Sequence, residues 1–184
     1  MADPTNIYLI NDLSTRLNHK IIPFVSTTKD IMKAVARHYL GITLEQMRNS
    51  ILVVETDSRE REALASTLRT EGYHAVEAVD PEDGYRQALL QLPSLIITAK
   101  DMPFSDGFAF FTTLRGVPET SRIPVILLSQ RATPEEEAMA FNRGFFDYIP
   151  MPVRDATLFS RVNRALAAGR SYTPHRRESI EFDL

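Results

Sequence analysis

The sequence predicts an α/β chain: a five-stranded, parallel, doubly wound sheet with a small N-terminal helix-strand-helix segment. Three observations carry that prediction. From Ser50 onward, short apolar runs alternate with amphipathic stretches of helical length, the pattern of a parallel sheet with helices on both faces. The length of 184 residues holds one full domain and a fragment, at roughly 100–200 residues per domain. Hydrophobic residues at 43%, charged residues at 24% and aromatic residues at 9% are the proportions of a folded chain with a sizeable core.

In the front segment, Asp3 before Pro4 is an N-cap followed by proline at the first helical position. Ile7, Leu9, Ile10, Leu13 and Leu17 then recur at roughly helical spacing, so a helix is expected over about residues 4–17. Lys20 to Val25 is short and apolar with Pro23 inside it, which reads as an edge strand. Ser26 to Asp30 opens a second helix carrying Ile31, Met32, Val35 and Tyr39, and it ends near Gly41. A piece of this size sits at the limit below which a core cannot stabilise itself, so residues 1–41 are expected to be covered by another surface, with 42–49 as a linker. The edge of Ile21-Ile22-Phe24-Val25 makes a twofold-related copy or a larger partner the expected cover, with packing back onto the main sheet or its helices as the competing outcome, since Pro23 removes one donor from that edge.

In the main domain, over residues 50–169, the strands are read at Ile51–Val54, His74–Ala78, Ser94–Thr98, Pro124–Leu128 and Phe146–Ile149. The helices are read at about 58–71, 81–91, 107–115, 134–143 and 153–168. Asp57 with Glu60 reads as a capping box opening the first of these. Residues 170–184 form a polar tail, expected to be mobile.

Composition excludes several functions. With 21 basic and 24 acidic side chains and a net charge of -3, no excess positive field draws in nucleic acid or an anionic membrane. The absence of Cys removes disulfides, thiolate zinc sites and cysteine nucleophiles, and fits a reducing compartment. His19, His38, His74 and His175 show no ligand spacing, so no metal site or other cofactor is expected. No apolar run approaches the ~20 residues of a membrane span, and MADPTN has neither a basic n-region nor an apolar h-region, so a cytoplasmic protein is expected.

In an open doubly wound sheet the chemistry lies just after the strands. Ile51-Leu52-Val53-Val54 with Glu55-Thr56-Asp57, Pro93 to Ile97, Met102-Pro103-Phe104-Ser105-Asp106-Gly107-Phe108, Ile123 to Ser129, and Gly144 with Asp147-Tyr148-Ile149-Pro150-Met151-Pro152 together resemble the receiver domain of bacterial response regulators, over about residues 50–169. The resemblance implies a flavodoxin-like sheet and two-component signalling. It also implies a phosphoryl acceptor aspartate, two acidic residues for Mg²⁺ and a lysine for the phosphoryl oxygens. Laid over this chain, the acceptor position is Ala99, the acidic pair is Glu55-Thr56, and the lysine position is Met151. A methyl group has no oxygen to attack phosphorus, a threonine halves the charge facing a metal, and a thioether carries no cation. Ser129 falls where the family has its reporting hydroxyl and Tyr148 where it has its switching ring. Each also has a plain structural reading, a strand-end hydroxyl and a partly buried ring. The resemblance further implies a cis Met151-Pro152 bond.

Three substitutes for the lost chemistry stand open on the sequence. Asp101 lies two residues beyond the acceptor position, Asp57 with Glu60 offers carboxylates, and Lys100 is placed to fold back and neutralise Glu55. Arg143, Phe145 and Phe146 stand where the family has small or acidic residues, and aromatics and Arg are enriched at interface anchors, so they are the candidate interaction surface. Phe141 is expected in the core.

The opening Ala2-Asp3-Pro4-Thr5-Asn6, Ile10-Asn11-Asp12-Leu13, Ile21 to Val25, and Asp30-Ile31 with Ala34 to Tyr39 resemble the second half of the N-terminal domain of type II secretion and type IV pilus assembly ATPases. The strand that precedes this stretch in those domains would lie before Ala2. No G-x-x-x-x-G-K-[ST] occurs, so no motor is expected. The expected function is therefore non-enzymatic: a phosphorylation-independent, receiver-like adaptor that binds a protein partner, tied to secretion or pilus machinery. The alternative is a phosphorylatable response regulator with a non-standard acceptor. A small-ligand sensor lacks a Gly-rich cradle, and a DNA-binding regulator lacks a basic segment after Gly169 long enough for a helix-turn-helix.

Overall fold

The structure is a computed structural model that describes residues 7–20, 49–103 and 105–170. Its elements are α1 (Ile7–Leu17), β1 (Ser50–Val54), α2 (Ser58–Thr70), β2 (His74–Ala78), α3 (Pro81–Gln91), β3 (Leu95–Ala99), α4 (Gly107–Arg115), β4 (Val125–Ser129), α5 (Pro134–Arg143), β5 (Asp147–Pro150) and α6 (Asp155–Arg170). The five strands are all parallel in the order β2-β1-β3-β4-β5. This is the doubly wound, flavodoxin-like sheet that the sequence predicts.

The two faces follow from the two-residue period of a strand. Leu52, Val54, Ile96, Val125 and Leu127 point to one side and pack with α3, α4 and α5 through Ala88, Phe108, Phe110, Phe111, Leu114 and Ala140. Ile51, Val53, Leu95, Ile97, Ile126 and Leu128 point to the other and pack with α2 and α6 through Leu64, Ala65, Leu68, Leu158, Val162 and Ala165. Every residue of β1, β3 and β4 is buried, as the central strands of a sheet covered on both faces require.

Local chemistry sets the helix starts. Asp57, Asp80, Asp106 and Thr133 are N-caps whose side chains accept from backbone N–H groups of the first turn, and Pro81 and Pro134 stand at the next position. Three strands begin one residue later than the sequence reading. The carbonyl of Pro124 is still in the ladder, accepting Ile96 N at 3.0 Å, but its ring nitrogen has no proton to give, so the regular strand starts at Val125. The last helix begins at Asp155, because the Arg154 carbonyl is the first to accept, from Thr157 N and Leu158 N. Met151-Pro152 is cis, as expected. Of the front segment, α1 is present; the expected edge strand, the helix after it, their pairing with a second copy and the polar tail lie outside the described residues.

Candidate functional site

The strand order reverses between β1 and β3, and their carboxyl ends meet there, with Val54 opposite Thr98. Glu55 follows β1 and is buried; its Oε1 accepts from Asp57 N at 2.8 Å and from Thr56 Oγ1 at 3.4 Å. Burial pushes the Glu55 carboxyl above its usual range and the nearby Glu60 charge adds to this, while hydrogen bonds from Asp57 and Thr56 oppose it. A carboxyl raised in the folded state favours folding at low pH, and that contribution is lost as pH rises through its folded value. Glu55→Gln is therefore expected to raise the urea midpoint at pH 7, with a gain that shrinks toward acid pH; an equal gain at pH 4 and pH 7 contradicts the assignment.

Asp57 serves as the N-cap of α2, accepting from Arg59 N and Glu60 N at 2.8 and 3.0 Å. The reciprocal half of the expected capping box is not formed: Asp57 N goes to Glu55, and the Glu60 carboxylate instead accepts from Gln130 Nε2. Ala99 ends β3, buried, with a methyl group where an acceptor was looked for.

Lys100 does not fold back to Glu55. Its ammonium pairs with the Glu136 carboxylate in the first turn of α5 and lies 3.8 Å from Asp101 Oδ1. The other Glu136 oxygen accepts from the Tyr148 hydroxyl at 2.7 Å, and the Tyr148 ring is only 4% exposed. Burial alone raises the Glu136 carboxyl, but the Lys100 ammonium and its other polar neighbours outweigh this and hold it below its usual range. The Glu136 bond holds the Lys100 ammonium above its own usual value, against burial. Burial raises the Tyr148 phenol, and acceptance by Glu136 adds to the rise. The Ser129 hydroxyl is buried without a hydrogen bond of good geometry, yet it lies beside both Glu136 and Tyr148. Met151 is half-buried against the core between the sheet and α2/α6.

The proposed interaction surface is corrected in part. Phe145 is 4% exposed, stacked on Phe111 at 4.0 Å and edge-on to Phe108 at 5.5 Å, so it belongs to the core. Phe146 is half-buried on the opposite face, with the Arg164 guanidinium 5.4 Å from its ring centroid. Arg143 is exposed, and its guanidinium covers the Phe108 ring at 4.9 Å. Phe141, expected in the core, is 46% exposed. The inward positions of α5 are Glu136 and Ala140, and Phe141 lies about 100° further round the helix. Gly144, at φ 97°, closes the helix in the left-handed region and turns the chain so that Phe145 enters the core.

Two groups escaped the sequence reading. Glu136 stands four residues before the buried Ala140, the signal that sets it apart from Glu135 and Glu137. Asp147 is buried at the start of β5 and pairs with Arg164 at 2.7 Å and Arg161 at 3.4 Å, contacts made across the fold by α6.

Residues 51–163 match the family model of the response regulator receiver domain. The chain is 31% identical over 120 residues to the transcriptional regulatory protein AfsQ1 of Streptomyces coelicolor, a match covering 65% of this chain and 52% of AfsQ1. It is 35% identical over 124 residues to a 14.6 kDa protein of the sodA1 3′ region of Leptolyngbya boryana, covering 66% of this chain and 92% of that one. The crystal structure of a response regulator from Desulfuromonas acetoxidans superposes with a TM-score of 0.61 at 36% identity, covering 65% of this chain and 97% of the other. The chain thus spans about half the length of AfsQ1 and nearly all of the shorter relatives. On its sheet order, on the residues at its strand ends and on these matches, the chain belongs to the response regulator receiver family.

Proposed function

We propose that this chain is a receiver-like adaptor that acts through protein contacts without being phosphorylated. The observation that carries the reading is Ala99, a buried methyl at the end of β3. Phosphoryl transfer works by positioning and by neutralising charge, and the surrounding groups supply neither. Thr56 is neutral, Met151 is packed with the apolar core, and the Lys100 ammonium is committed to Glu136. Mg²⁺ asks for oxygen ligands in near-octahedral geometry. Glu55 offers one carboxylate, already hydrogen-bonded through one oxygen to Asp57 N, and this donor set does not fit the ion. Among the described residues no three acidic or histidine side chains gather into a metal cluster. The front segment, through its resemblance to secretion and pilus ATPases, is the proposed docking piece.

A second reading, a phosphorylatable regulator with a non-standard acceptor, draws support from AfsQ1 and from Asp101, an exposed carboxylate with the Lys100 ammonium 3.8 Å away. Incubation with acetyl phosphate and Mg²⁺ followed by intact mass measurement separates the two. No phosphoryl adduct is expected on the native chain, and Ala99→Asp alone is expected to restore little. An adduct on the native chain overturns the first reading, and its location at Asp101 establishes the second.

A further inference from the structure

Helix α5 is held by little apolar burial. Ala140 is its one buried residue, whereas α2 buries Leu64, Ala65 and Leu68, and α4 buries Gly107, Phe108, Phe110, Phe111 and Leu114. Met139 and Phe141 of α5 face solvent. Segments with few buried apolar contacts open at lower free energy than the rest of a domain, so the polar contacts of α5 decide whether it stays seated.

Those contacts converge on one carboxylate. Thr133 accepts from Glu136 N at 3.2 Å and fixes the first turn, and the Glu136 side chain, 12% exposed, turns inward. One oxygen accepts from Tyr148 of β5 and the other pairs with Lys100, whose side chain is 23% exposed. The Lys100 backbone is itself anchored, with N donating to Leu128 O and O accepting from Gly107 N, both at 2.8 Å. A single side chain therefore ties α5 to the end of β3, the start of α4 and the buried face of β5. Partly desolvated ion pairs of this kind are costly to break from one side, because the surviving charge keeps its desolvation without its partner.

We propose that Glu136 is a polar latch: its paired contacts with Lys100 and Tyr148 hold α5 seated and Tyr148 inward, and release of either contact frees α5 without unfolding the sheet. The latch thereby sets how Met139 and Phe141 are presented. It stands on these contacts alone, whether or not the chain accepts a phosphoryl group, so its failure and the failure of the adaptor reading are separate results.

Amide hydrogen exchange on the full chain tests it. Glu136→Gln keeps an oxygen for Tyr148 and drops the charge, and Lys100→Met drops the ammonium. Each is expected to speed exchange of the α5 amides about tenfold or more, with the α2 and α4 amides unchanged. The double variant should be no faster than the quicker single variant, since both break one contact. Lys100→Arg should restore most of the protection. Should Glu136→Gln not fold, Lys100→Met and Tyr148→Phe give the same readout. Unchanged α5 exchange, equal acceleration across α2, α4 and α5, or additive effects in the double variant overturn the proposal.

Discussion

Phe145→Ala is expected to destabilise the domain by about 3–5 kcal/mol, the usual cost of emptying a buried phenylalanine site. The ring fills a space closed by Phe111 at 4.0 Å and Phe108 at 5.5 Å, both on α4, and the chain enters that space through the Gly144 turn. Neither wall collapses easily, since Phe108 and Phe111 are themselves packed on the sheet beside Leu114 and Val125. Equilibrium urea unfolding gives the number, and Arg143→Ala is the control. Arg143 is exposed and loses only its cover over Phe108, so a cost below about 1 kcal/mol is expected there. If Phe145→Ala unfolds at the native midpoint while Arg143→Ala does not, the ring is a surface group and the core assignment fails.

Gly107→Ala is expected to be the second large effect, in the range of about 1–3 kcal/mol or more that overpacking costs. A Cβ there would lie 2.5 Å from Ala99 O, 2.7 Å from Leu127 Cδ1 and 3.1 Å from Lys100 Cα. The leucine methyl can rotate away, but the Ala99 carbonyl is backbone. The Gly107 N to Lys100 O bond at 2.8 Å draws the two segments together at this point, so α4 must lift off the end of β3. The damage falls on the strand end that carries Ala99 and Lys100. Gly169→Ala is the control, because a Cβ there meets nothing within 4 Å and alanine suits a helix better than glycine. Urea midpoints that fall equally in the two variants contradict the close approach at Gly107.

Much of the molecule was legible before any coordinates. Asp80-Pro81 and Thr133-Pro134 mark helix starts through contacts within one turn, and α3, α4 and α5 begin and end where the sequence reading puts them. Ala99, Glu55 and Thr56 were singled out through the resemblance to receiver domains, and they lie at the carboxyl ends of β3 and β1.

What the amino-acid sequence determined by itself is what depends on near neighbours: the elements, their caps, and the apolar runs of β1, β3 and β4 that demand cover on both faces. Only the tertiary structure decided which groups meet across the sheet. Lys100 was placed on the sequence to neutralise Glu55, and it pairs instead with Glu136, 36 residues away, because the end of β3 faces the first turn of α5. Phe141 and Phe145 are equally apolar, and their fates were exchanged by a helix rotation of about 100° and one left-handed glycine. Hydrophobicity states how strongly a side chain seeks cover, whereas the direction in which it leaves the backbone, set by the packing of neighbouring elements, decides whether it finds it.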